Sequence, residues 1–75
     1  MKTTTILLNS IDDVKNFVNL VSRYDFEVDL TSERYVVDAK SIMGIFSLDL
    51  SKPIDVKIYD DNCEEFLAAL EKFKA

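Results

Sequence analysis

A chain of 75 residues with 48% hydrophobic content is expected to fold as a single domain over residues 1–75, too small to enclose a deep cleft. Fourteen acids against nine bases leave a net charge of -5, which lacks the cationic field that nucleic-acid or anionic-membrane binding draws on. With one cysteine and no histidine, the chain has no internal disulfide, no imidazole metal site and no Ser-His or Cys-His nucleophile pair.

"KTTTILL" (Lys2 to Leu8) is rich in β-branched residues and predicts a first strand. Asn9 or Ser10 then caps a helix, with Asp12 and Asp13 in the first turn, where the helix dipole favours acids. Ile11, Val14, Phe17, Val18 and Val21 recur at helical spacing up to an end near Arg23 and Tyr24. "FEVDL" (Phe26 to Leu30) alternates strictly and predicts a half-buried strand. Thr31-Ser32-Glu33 forms a turn into "RYVVD" (Arg34 to Asp38), and the short spacing predicts a hairpin.

Ser41 is positioned to cap a short helix from Ile42 to Leu48, with Pro53 ending the loop after it. Within that helix Ile45 and Leu48 share one face, while Ile42, Met43 and Phe46 fall on the other. "IDVKI" (Ile54 to Ile58) alternates again, with Ile54, Val56 and Ile58 inward. Asp61 and Glu64 have the spacing of a capping box for a last helix, whose apolar stripe is Cys63, Phe66, Leu67, Leu70 and Phe73.

The order β-α-β-β-α-β-α predicts an α+β fold, an open-faced sandwich. Its four-stranded antiparallel sheet carries the helices on one face and Glu27, Asp29, Lys57 and Arg34 on the other.

The side chains with chemical potential are few. Cys63 falls on the apolar stripe beside Glu64 and Glu65, which reads as a core thiol of raised pKa rather than a nucleophile. The lone thiol also suits a reducing cytoplasm. "MKTTTILLNS" has too short an apolar run for a secretory leader, and no window reaches the length of a membrane span. The acid pairs Asp12-Asp13, Asp60-Asp61 and Glu64-Glu65 sit at helix starts, where the dipole accounts for them. Neighbouring helical residues do not converge on a metal ion, so no metal or cofactor is expected.

Lys40-Ser41-Ile42-Met43-Gly44, followed by Ser47 and Leu48, stands within this element order. Together they resemble the HPr family of the phosphoenolpyruvate-dependent sugar phosphotransferase system, and the likeness runs without a gap from about Tyr24 to Asp60. The resemblance implies the family's HPr-like open-faced fold. It implies that Ser41 occupies the regulatory serine that an ATP-dependent HPr kinase/phosphorylase modifies in Gram-positive relatives. It also implies that Ile42, Met43 and Phe46 occupy the family's docking surface for partner proteins.

The family's catalytic histidine, followed two residues later by arginine, has no counterpart. In "LLNSIDDVKNF" the loop that would carry it is missing, and the register places Ser10 at the histidine position and Asp12 at the arginine position. The expectation is therefore a non-enzymatic cytoplasmic regulatory or adaptor domain, with Ser41 as a candidate phosphorylation switch. Its partner would be a protein, such as an HPr kinase/phosphorylase or a transcriptional or metabolic regulator. The competing readings are a phosphocarrier using Ser10, Asp12 or Asp13 as acceptor, and an interaction domain with no phosphorylation.

Overall fold

The structure, a computed structural model, describes residues 1–33 and 35–74. Its elements are β1 (Lys2–Ile6), α1 (Ile11–Val21), β2 (Val28–Ser32), β3 (Tyr35–Asp38), α2 (Ile42–Phe46), β4 (Ile54–Ile58) and α3 (Glu64–Ala69), which tightens into a 3₁₀ turn over Leu70–Phe73. The four strands form one sheet in the order β1-β4-β2-β3, and every pairing is antiparallel.

The alternating "IDVKI" places β4 at the centre of this sheet. Ile54, Val56 and Ile58 are fully buried on its inner face, while Asp55 and Lys57 point outward. On either side their partners repeat the pattern: Ile6 lies opposite Ile54, and Leu30 opposite Val56. Burying each such side chain contributes about 1.5–3 kcal/mol before chain entropy is counted. Among the described residues the outer face is mostly polar, carrying Thr3, Thr5, Asp29 and Lys57 in register, with Val36 exposed opposite Thr31. Arg34, expected on that face and at the start of the hairpin's second strand, lies outside the described residues.

The helices cover the inner face. Val14, Phe17, Leu20 and Val21 bury one side of α1, and Phe17 meets Phe73 edge-on at 5.8 Å. Leu7 N–H donates to the Phe73 carbonyl at 2.7 Å, so the 3₁₀ turn is tied to the end of β1. Ile45 anchors the short α2 in the same core; the helix ends at Phe46 rather than at the expected Leu48, which is buried just beyond it.

Several expectations are corrected. β1 stops at Ile6 rather than Leu8. β2 starts at Val28 and runs on through Ser32, because Thr31 and Ser32 pair with Val36 and Tyr35. The turn is thus tighter than expected and holds Glu33 at φ 55°, in the left-handed region. Phe26 lies before the strand and joins Tyr24 and Phe66 in an aromatic cluster with centroids 5.0–5.4 Å apart. Ile11, expected on the apolar stripe of α1, is exposed, and Leu20, outside that stripe, is buried in the core.

Asp61 caps nothing. It binds the Met1 ammonium at 2.6 Å, which holds its carboxyl below the ordinary range, and α3 begins after Cys63 without a side-chain cap. Its neighbour Asp60 closes the turn instead, accepting from Asn62 N–H at 2.9 Å.

Two measurements check this packing. Phe17→Ala should lower stability by about 3–5 kcal/mol in urea unfolding, whereas Ile11→Ser should change it by about 0.5 kcal/mol or less. Equal losses would contradict the placement of Ile11. Cys63 is 2% exposed, its thiol donates to the Asp60 carbonyl at 3.4 Å, and burial followed by the Glu64 and Asp60 charges raises its pKa. A thiol reagent at neutral pH should therefore label the native protein far more slowly than the protein in denaturant.

Candidate functional site

Two short segments meet at one end of the sandwich, the β1–α1 junction and α2 with its following loop. Ser10 is extended (φ -147°, ψ 167°), and its Oγ accepts from Asp13 N–H at 3.1 Å. Asp13 reaches back so that its Oδ2 accepts from Asn9 N–H at 3.0 Å. This reciprocal pair is a variant of the capping box, and it lets strand pass to helix in four residues. The Ser10 oxygen is thereby engaged as an acceptor. No described side chain acts as a base toward its hydroxyl.

Ser41 is the N-cap of α2, its Oγ accepting from Gly44 N–H at 3.3 Å. The turn before it is fixed by Asp38, which accepts from Lys40 N–H at 2.8 Å through Oδ1 and from Ser41 N–H at 3.0 Å through its carbonyl. Gly44 packs α2 against Val37 of β3. A Cβ there would stand 3.3 Å from both Ser41 Oγ and Val37 Cβ, tighter than ordinary contact. Ser47 closes the helix, its hydroxyl donating to the Gly44 carbonyl at 2.6 Å. Ser41 itself is solvent-exposed.

The three residues expected to form a docking surface divide. Met43 is 77% and Phe46 40% exposed, while Ile42 is partly buried against the core. Beside Phe46 the surface continues into a groove of about 510 Å³ that Ser10 also lines, together with Leu8, Ile11 and Leu50. Ser10 and Phe46 are thus brought together, whereas Ser41, at the start of α2, is not part of the groove's lining. Ile11 and Leu50 were missed by sequence reasoning. The signal for Ile11 was the brevity of the β1–α1 junction, which leaves the first helical residue at the rim of the sandwich.

The groove lies among acids. Asp49 Oδ1 accepts from the hydroxyl and the amide of Ser51 at 2.6 and 3.1 Å, and these bonds, the hydroxyl's first, hold its carboxyl below the ordinary range. Asp12 is exposed beside Ile11. Lys52 turns away to pair with Glu33 at 3.1 Å. Among the described residues no three potential metal ligands converge, and no helix is long and apolar enough to cross a membrane.

Comparisons with known proteins agree with this architecture. The structure resembles HPr-C-His from Thermoanaerobacter tengcongensis with a TM-score of 0.80 and 29% identity, over 96% of this chain and 89% of that one. It shares its fold with the phosphocarrier protein HPr from Bacillus anthracis str. Ames, with a TM-score of 0.76 and 23% identity over 99% and 96% of the two chains. No curated protein matches the chain. A family model described as the PTS HPr component phosphorylation site matches residues 13–75, a span that begins after Ser10 and Asp12. With that match, the chain belongs to the HPr family of the sugar phosphotransferase system.

Proposed function

We propose that this member of the HPr family is a cytoplasmic regulatory or adaptor domain that docks on a protein partner through α2, carries no phosphohistidine, and is switched by phosphorylation at Ser41. The observation that carries the proposal is a pairing of loss and retention. The 75 residues contain no histidine, yet the serine motif stands intact as an exposed cap beside Met43 and Phe46.

The chemistry of each half supports this reading. A phosphocarrier needs an acceptor whose phosphoryl group is both stabilised and transferable. At the junction Asp12 puts a negative charge where the family's arginine would stand, and like charge repels a phosphate. At α2 a phosphate on Ser41 would replace the hydroxyl with three strong acceptors, so the cap to Gly44 N–H need not be lost. The added charge would lie beside Met43 and so alter the surface a partner meets.

Met43 and Phe46 suit docking because they are large apolar groups that the core does not use, and Met adapts its shape to a partner. Ile42, half-buried, packs against the core instead.

A second reading keeps phosphoryl carriage with Ser10 as acceptor. It is favoured only by the position of Ser10 in the groove beside Phe46. Against it, the Ser10 oxygen already serves the α1 cap, and among the described residues no side chain accepts a hydrogen bond from its hydroxyl.

Incubation with ATP and an HPr kinase should yield a singly phosphorylated protein, and Ser41→Ala should abolish the modification; an unmodified mass after exhaustive treatment rejects the switch. Label passed from phosphoenolpyruvate through the first enzyme of the system, and lost in Ser10→Ala, would establish the second reading instead. Met43→Asp or Phe46→Asp should weaken binding to the kinase by about tenfold or more with the circular dichroism spectrum unchanged. Unaltered affinity in both variants would remove α2 as the docking element.

A further inference from the structure

We infer that the groove between the β1–α1 junction and α2 accepts a basic protein segment, an apolar side chain flanked by Lys or Arg. The inference rests on the docking reading above and names the chemistry of its partner.

Leu8, Ile11, Phe46 and Leu50 make the groove predominantly apolar, and Ile11, which α1 contributes, is 62% exposed. Such a surface calls for an apolar anchor. What distinguishes anchors is the charge around them, and here it is predominantly negative. Asn9 and Ser51 line the groove, and each is hydrogen-bonded to a carboxylate, Asp13 at 3.0 Å and Asp49 at 2.6 Å. Asp12 adds a third acid next to Ile11 in sequence.

The nearby cations do not cancel these acids. Lys52 follows Ser51 but is engaged by Glu33 at 3.1 Å. Lys15, one helical turn beyond Ile11, supplies a single opposing charge. The whole chain adds its own field, with a net charge of -5.

These charges also decide between occupants. A second copy of this chain would bring the same acids against themselves across a two-fold axis, and nucleic acid would meet a field of its own sign. A basic segment gains from both parts of the site: steering by the acids during approach and burial of its apolar residue on arrival. Phosphate on Ser41 would deepen the negative field on this end of the molecule, so modification should favour such a segment rather than repel it.

The test uses two synthetic peptides of equal length, each with a central Leu-Leu pair, flanked by Lys in one and by Glu in the other. Each is titrated into the full chain while the backbone amide resonances are followed. The Lys peptide should shift Leu8, Ile11, Phe46 and Leu50, and its affinity should fall about tenfold as ionic strength rises from about 0.02 M to about 0.5 M. Asp12→Lys and Asp49→Asn should each weaken it several-fold. Glu65→Lys, a charge change on α3, which contributes nothing to the groove's lining, should not.

If the Glu peptide binds the groove as tightly, the basic partner is wrong and docking stands. If the Lys peptide shifts resonances elsewhere, or Glu65→Lys weakens it as much as Asp12→Lys, the groove is not its site and the inference falls. Failure of the docking reading itself would show separately, in unaltered kinase affinity of the Met43 and Phe46 variants.

Discussion

The structure depends on one central strand. β4 pairs with β1 on one side and β2 on the other, and its inward residues Ile54, Val56 and Ile58 are all fully buried. Because the strand alternates strictly, a slip of one residue would turn all three isoleucine and valine side chains to water and bring Asp55 and Lys57 into the core. That penalty sets the register of the sheet, and the sheet in turn sets which face the helices can bury. The outer face, with Thr3, Asp29 and Lys57 in line, offers them little that is apolar.

A single buried face limits what a short helix can contribute. The five residues of α2 make little more than one turn, so only one side can reach the sheet. Ile45 takes that side, with Leu48 buried just after the helix, and Gly44 leaves room against Val37 that a Cβ would crowd. Met43 and Phe46 are left outside by geometry, not by chance composition. The same argument applies across the groove, where the rapid passage from Ile6 to Ile11 leaves the first residue of α1 beyond the edge of the core. Two independent consequences of short connections thus place apolar groups next to one another on the surface.

Much of this was legible in the sequence, for reasons that differ by element. The alternation of "IDVKI" and the Ser41 cap are local signals, and each was read at its true position. The helical spacing of α1 was read as a core stripe, but periodicity reports direction around the helix axis and not where along it the core ends, so Ile11 was misplaced. Asp61 failed for a different reason. Its spacing to Glu64 fits a capping box, but the Met1 ammonium, distant in sequence, holds the carboxylate, and Asp60 shapes the turn. The groove depends on the mutual placement of the β1–α1 junction and the loop after α2, which only the folded chain brings together. The serine motif, by contrast, lies wholly within one contiguous segment, and the family to which the chain belongs was legible there.

The proposed absence of phosphohistidine chemistry would account for the electrostatics of the site. A surface that handles a phosphoryl group needs positive charge close to the acceptor, and that requirement constrains every residue around it. Once the requirement is absent, acids become acceptable at the same positions. Asp12 and Asp13 then serve the first turn of α1, where the dipole favours them, and Asp13 also completes the cap through Asn9. Asp49 is likewise used locally, holding the loop after α2 through both donors of Ser51. Each acid has a structural reason to be where it is, and none of those reasons involves a partner. Their common sign beside an apolar groove is what the proposed basic partner would meet, so local stabilisation of two short connections would also shape what the surface can recognise.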